Sequence, residues 1–446
     1  MKKYSRIIVF LACALASYAQ RPLTLEESKN LALQNNGLLK NSALEAEAAR
    51  QAKKAAFTSF FPTISAGGFS FKAQDYMMEM ATKGGNLPVY NGNPATLPYA
   101  TQFAYFPSTT TGLFKSGTIG MINVVQPVFA GGRILNGNKL ASLGVDADEL
   151  KTDLSRNDVL LKTEEQYWLI VSLDEKLKTI QSYEALLDGL LRQVEDAYAA
   201  GLVMKNDVLK VKIKRTEILF NMSKAENGKK LALMAFCQHL GIPYDPEIVL
   251  TDPLTLDVPP LPASVDAAEA VKTRPEYKLL QTSVRAEELQ SRMKLGEFLP
   301  QVGVGVSGLY MKTDTAKGRT IGMIYGTVSI PISGWWKAAH ALSERRDREQ
   351  IAHNSLKNNS ELLLLQIEKA WEDLSDARQQ VLLTQDAKAQ AEENMKVNQD
   401  GYDNGMIDVS DLLEAQALRQ QANDQWTEAV AGYRTKLVYY LQVTGR

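Results

Sequence analysis

Two stretches of this chain place ionisable and hydroxyl side chains at a spacing that could do work. One runs from Gly401 to Gln416, where Tyr402, Asp403, Asn404 and Gly405 are followed by Asp411 and Glu414. The other is a weaker copy, in which Tyr198, Gly201 and Asp207 repeat the spacing of Tyr402, Gly405 and Asp411. Each reads as a sharp reversal between two helices, with Gly201 and Gly405 as turn glycines and a carboxylate near the start of the second helix. Asp411 and Glu414, three apart on a helix, share a face. Carboxylates in a first turn can serve the helix itself, at about 0.3–1 kcal/mol each through capping and the dipole. Repeated around an axis, they would instead gather cations.

Other chemistry finds no support in the spacing. Gly303-Val304-Gly305-Val306-Ser307-Gly308 has the form of a dinucleotide fingerprint, but it lies inside an expected strand and opens no helix. His239, His340 and His353 do not cluster as metal ligands would. No Gly-x-Ser-x-Gly nucleophile motif is present. The reading is of a protein that is not an enzyme, with no catalytic, cofactor or metal residues.

The elements that position the two turns are long. In a chain of 446 residues with net charge -1, 45% hydrophobic and 23% charged, nothing in the charge balance argues for nucleic acid. Residues 1–19 combine a basic head, a short apolar core and small residues at Ser17 and Ala19, so they read as a secretory signal cut after Ala19. Cys13 offers lipid attachment as the alternative. With the cut after Ala19, Cys237 is the only cysteine left, and it reads as a small buried hydrophobe. Past the signal no apolar run reaches the roughly 18 residues of a spanning helix, which leaves a β-barrel as the only membrane-spanning option.

Between Pro127 and Pro243 there is no proline, and an apolar stripe near heptad spacing predicts one helix from about Gly132 to Ala200 and a second from Asp207 to Leu240. At 1.5 Å per residue the first is roughly 100 Å long. The order then repeats. An offset of 204 pairs Pro127 with Pro331, Tyr198 with Tyr402, Gly201 with Gly405 and Gly241 with Gly445. Upstream the offset is 238, pairing Ala32 with Ala270, Phe60 with Phe298 and Pro62 with Pro300. The two offsets differ by 34, which puts a 34-residue insertion, read as loop, between Lys72 and Thr118. The domain reading is a first repeat over 20–241 with a hairpin at 62–129, a proline-rich linker over 242–263, and a second repeat over 264–446 with a hairpin at 300–331.

Val302, Val304 and Val306 alternate with Gly303, Gly305 and Ser307, the pattern of a membrane barrel with lipid outside and water inside. Four strands cannot close a barrel, so copies of the chain must each donate two hairpins. Pro62, Pro127, Pro300 and Pro331 mark the junctions of strands with helices. Phe60, Phe61, Phe129, Phe298, Trp335 and Trp336 gather there as a membrane-interface girdle, or alternatively as core aromatics under a helix end. The fold class is therefore mainly α with membrane β. A secreted coiled-coil scaffold without a pore is the rival reading; it accounts for the heptads and not for the duplicated hairpins.

With these marks the chain resembles the TolC family of outer-membrane efflux proteins. The marks are Leu23-Thr24-Leu25-Glu26-Glu27, Ala32-Leu33-Gln34-Asn35-Asn36, Phe61-Pro62, Gln126-Pro127-Val128-Phe129 with Gly131-Gly132, and both Tyr-x-x-Gly turns with their aspartates. The resemblance implies a homotrimer with a 12-stranded barrel in outer-membrane lipid, four strands per chain. It implies a periplasmic α-helical tunnel, and a tip that docks with a periplasmic adaptor and an inner-membrane transporter, in efflux or type I secretion. It further implies a gate latch at Tyr402 and Asp207, and an acidic constriction ring at Asp411 and Glu414. The family's third latch residue, an arginine, is replaced by Ile407, which removes the ionic part of that latch.

Overall fold

The computed structural model describes residues 21–254 and 259–446. The expected signal segment, with Cys13, lies outside the described residues. In the first repeat β1 (Arg21–Leu23) leads into α1 (Leu25–Asn35) and α2 (Gly37–Phe57), then β2 (Thr63–Lys72). Four short strands follow: β3 (Met78–Thr82), β4 (Gly85–Pro88), β5 (Phe103–Phe106) and β6 (Thr109–Leu113). Then come β7 (Ser116–Ala130), α3 (Arg133–Ala199), α4 (Lys205–Leu240) and β8 (Ile248–Leu250). The second repeat is α5 (Ala267–Thr273), α6 (Pro275–Gly296), β9 (Gln301–Thr313), β10 (Arg319–Ser329), α7 (Trp335–Asp403) and α8 (Val409–Thr444).

Local chemistry explains the helix boundaries. Thr24 and Glu27 form a capping box that opens α1: the Glu27 N–H donates to Thr24 Oγ1 at 3.2 Å, and the Thr24 N–H donates to the Glu27 carboxylate at 2.9 Å. Asn36 separates α1 from α2, its side-chain oxygen accepting the Leu38 N–H at 2.9 Å while its amide donates to the His239 carbonyl at 2.7 Å. The same break recurs 238 residues later at Arg274, between α5 and α6. Arg274 is buried, and its guanidinium is satisfied by Glu276 and Gln366. Gly241 and Gly445, at φ of 68° and 73°, end α4 and α8 in the left-handed conformation that favours glycine.

The chain forms two compact units, each drawing on both repeats: one takes the residues up to Arg50 with Leu143–Arg285 and Gln350–Arg446, the other Gln51–Ser142 with Ala286–Glu349. The second unit is built on an antiparallel sheet in the order β10-β9-β7-β2. β7 pairs with β9, so the two hairpins form one sheet whose outer edges, β2 and β10, have no partner strand among the described residues. One cross-strand row is Ile64, Val124, Val306 and Ile324; the row behind it on the opposite face is Ser65, Asn123, Ser307 and Met323. Tyr325 lies on that second face, its hydroxyl donating to Asn123 Oδ1 at 2.6 Å.

Two features depart from the expected pattern. The aliphatic face does not persist along the strands: farther from the helices it carries Ser70, Thr118 and Lys312, while the opposite face carries Phe69, Ile119 and Met311. The insertion is not a loop either, because β3 pairs with β6 and β4 with β5 as two antiparallel ribbons. Runs such as Thr109-Thr110-Thr111 and Phe103-Ala104-Tyr105-Phe106 have the β-branched and aromatic character of strands, which the surrounding Gly, Pro and Asn obscure.

The helical unit holds two apolar clusters. In one, the ring pair Tyr167 and Phe236, with centroids 6.2 Å apart, has its counterpart 204 residues on in Trp371 and Tyr440, at 5.3 Å. The linker is fastened to this cluster by tyrosines. Tyr167 donates to Asp252 at 2.7 Å, Tyr433 donates to the Pro259 carbonyl at 2.7 Å, and β8 lies parallel to β1. Cys237 is a buried free thiol in the same cluster, as a small hydrophobe would be. In the other cluster Ile180, Tyr183, Leu187, Leu190 and Val194 alternate spacings of three and four along α3, a coiled-coil seam that packs beside Val208, Val211 and Leu412.

Candidate functional site: the two inter-helix turns

Both turns close in the same way. After α3 the Leu202 N–H donates to the Ala197 carbonyl at 2.9 Å, and after α7 the Met406 N–H donates to Gly401 at 2.8 Å. Gly201 and Gly405 sit between, with φ of 77° and 70°. These bonds satisfy the last carbonyls of each helix and turn the chain back on itself. At the outermost point of each turn stands a side chain that packs on nothing: Leu202 is 79% exposed and its counterpart Met406 78%.

The carboxylates take different roles from those their spacing suggests. The cap of α8 is Asp408, whose Oδ1 accepts the N–H groups of Ser410 at 2.6 Å and Asp411 at 3.2 Å. Those bonds, and the nearby Lys210, hold its carboxyl below the usual range. Asp411 and Glu414 are free of that duty. They lie exposed on one face of α8, while Leu412, Leu413 and Ala415 between and beside them are buried. Asp207 caps α4 instead, accepting the Met204 N–H at 3.3 Å.

Asp207 and Tyr402 are close enough to interact electrostatically, but the Tyr402 hydroxyl is not bonded to Asp207 within the chain. Half burial, with Asp403 and Asp207 nearby, pushes the Tyr402 phenol up. The bond that links the turns is another one. Lys210 pairs with Asp207 at 3.3 Å and donates to Ser410 Oγ at 2.7 Å, so a cation of the first turn reaches a hydroxyl of the second. Neither Asp408 nor Ser410 stands out in the sequence; the one available signal is the N-cap pattern, an Asp directly before a helical run. Ile407, at the position of the missing arginine, packs its side chain toward Gly401 and closes the turn with apolar contact.

At the strand–helix junctions Pro62 and Pro300 precede β2 and β9 directly, and Pro331 follows β10. Pro127 differs, because β7 runs on to Ala130 past it. A bulge between Pro127 and Phe129 accommodates the absent N–H. Phe60, Phe61, Phe129, Trp335 and Trp336 are exposed, Trp336 at 82%. Phe298 is not: it is 7% exposed, and its carbonyl accepts the Trp335 indole N–H at 2.9 Å. That residue is a core aromatic under the helix end rather than part of a girdle. Among the described residues no helix is long and apolar enough to cross a membrane, and no three His, Cys, Asp or Glu side chains form a group that could hold a metal ion.

The chain thus combines a four-stranded sheet, whose outer strands pair with no other described strand, with coiled helices that end in paired turns. Residues 268–445 match the family described as outer membrane efflux protein. No curated protein sequence matches the chain. Among solved structures it is similar to the CmeC outer membrane channel of Campylobacter jejuni, with TM-score 0.76 and 15% identity over 94% of this chain and 85% of that one. It is similar to VceC of Vibrio cholerae, with TM-score 0.73 and 13% identity over 94% and 96%. The open state of the MtrE channel of Neisseria gonorrhoeae gives TM-score 0.73 and 14% identity over 94% and 88%. The family match covers the second repeat, and the likeness to these solved structures shows that the chain shares their fold. The matched family is described as an outer membrane efflux protein, and CmeC and MtrE are outer membrane channels.

Proposed function

We propose that three copies of this chain close into one exit duct, a passive conduit that performs no catalysis and is opened at its inter-helix turns by a periplasmic adaptor and an inner-membrane transporter. The observation that carries this reading is the pair of unpartnered edges, β2 and β10. A bilayer offers no hydrogen bonds to an open strand edge, so each β2 must meet the β10 of a neighbouring copy. Three copies of four strands make twelve. The row Ile64, Val124, Val306 and Ile324 then faces lipid, and Ser65, Asn123 and Ser307 face water. Leu202 and Met406 are the apolar points on which the adaptor seats.

In this reading Asp411 and Glu414 form the constriction, contributing six carboxylates from three copies around one axis. Tyr402 and Asp207 hold the closed state together with Lys210 and Ser410. Purified protein added to a planar bilayer should give discrete conductance steps. A preparation that is folded by its helical circular dichroism and yet never conducts would overturn the duct.

A further inference from the structure

The end of the sheet farther from the helices bears an open cavity of about 510 Å³ that the passage of solute does not require. Its wall includes Phe69, Ile119 and Met311, one cross-strand row of the face that carries Asn123 and Ser307, together with Phe71. Met77 and Phe114 close it from the two ends of the insertion. Lys72 is the single charged residue in the wall, and Thr313 is a polar one.

This cavity is constructed rather than left over. Phe114 has a φ of 65°, the left-handed region that a bulky side chain rarely adopts. Glycines make room for the rings: a Cβ on Gly117 would come within 2.9 Å of the Phe71 ring, and one on Gly112 within 2.3 Å of Tyr76. The root of the insertion is pinned on both sides. The Ala73 N–H donates to the Lys115 carbonyl at 2.8 Å, the Lys115 N–H to the Asp314 carboxylate at 3.2 Å, and the Asp314 N–H back to the Ser116 carbonyl at 2.9 Å.

We infer that the cavity is a binding site for a small, neutral hydrophobic molecule that reaches it from the water-filled interior of the barrel. The volume falls within the roughly 300–1,000 Å³ of small-molecule sites, and an aromatic and thioether lining is what such a ligand needs. The source is the interior because the cavity shares its face with Ser65, Asn123, Ser307 and Tyr325, whereas Ile64, Val124, Val306 and Ile324 point the other way. This choice of source rests on the duct reading above.

The test uses the full protein in nanodiscs with 1-N-phenylnaphthylamine, a neutral apolar fluorophore, as probe. Binding should saturate at one probe per chain. It should weaken at least tenfold in Ile119→Trp, which fills the cavity, and in Phe114→Gly, which removes a wall ring while relieving the left-handed strain. Thermal stability of the Phe114→Gly protein should not fall, so a loss of binding there is not a loss of fold. Discs made with acyl-brominated phospholipid should leave the bound probe bright. A signal that never saturates, equal affinity in both variants, or quenching by the brominated chains would each overturn the site as an interior one. Conductance of the same proteins reads the duct separately: saturable, variant-sensitive binding in a protein that does not conduct would sink the duct and leave the cavity a binding site.

Discussion

At the turns, the Lys210 ammonium lies between Asp207 of its own turn and the Ser410 hydroxyl of the other. Half-exposed contacts of this kind are worth about 1 kcal/mol at most, so Lys210→Met should raise the open fraction no more than about fivefold, read as conductance in planar bilayers. Unchanged conductance would show that the bond does not hold the turns. Replacing Tyr402 by Phe with Asp207 by Ala belongs to the same measurement, and should add to the effect by removing the cap of α4 as well. Asp411→Asn with Glu414→Gln acts on a different quantity. Their carboxylates make no bond to the start of the helix, so block of the current by multivalent cations should weaken while thermal stability stays within about 0.5 kcal/mol. Equal block in the variant would remove the ring from the account. At this scale the sequence located both inter-helix turns and missed the residue that caps one of them. The repeat spacing draws attention to Asp411, whereas Asp408 falls opposite Met204 in the first turn, and only the backbone geometry shows that Asp408 is the cap.

At the scale of elements, what could be read from the chain was whatever prolines and a fixed period write into it. The four long helices and the two hairpins follow from proline-free runs and from an offset of 204 that holds without a gap. The insertion strands could not be read, since their hydrogen bonds join Met78–Thr82 to Thr109–Leu113 across a stretch rich in turn residues. Phe298 could not be placed either, because exposure of an aromatic depends on which helix end lies above it. Buried polar groups on the helices also escape a periodic reading. Asp424 on α8 is one: burial, with Glu428 beside it and Lys176 opposing, pushes its carboxyl up to about 6. The folded state therefore holds this proton more tightly than the unfolded chain does. The stability it contributes is fully present below about pH 4 and is lost as the pH rises through about 6. Asp424→Asn should accordingly raise the melting temperature at pH 8, by no more than about 3 kcal/mol in stability, and leave it nearly unchanged at pH 4. A gain of equal size at both values would contradict the shift.

For the whole molecule, closure is the main requirement. Solubilised in mild detergent, the protein should have the protein mass of three chains, and on removal of detergent it should aggregate; a soluble monomer would favour the rod without a pore. The pairing of β7 with β9 has a further consequence, which concerns how such a molecule comes to exist. Asn123 meets Ser307 across most of a repeat, so the sheet waits on contacts between residues far apart in sequence, while each helix needs only its neighbours. The helices can therefore form early and the sheet late. Until then two strand edges and a face of valines are exposed to water, and the half-made chain is at its most prone to aggregation. On the duct reading, the architecture that is stable once closed in the membrane thus calls for an escort on the way there.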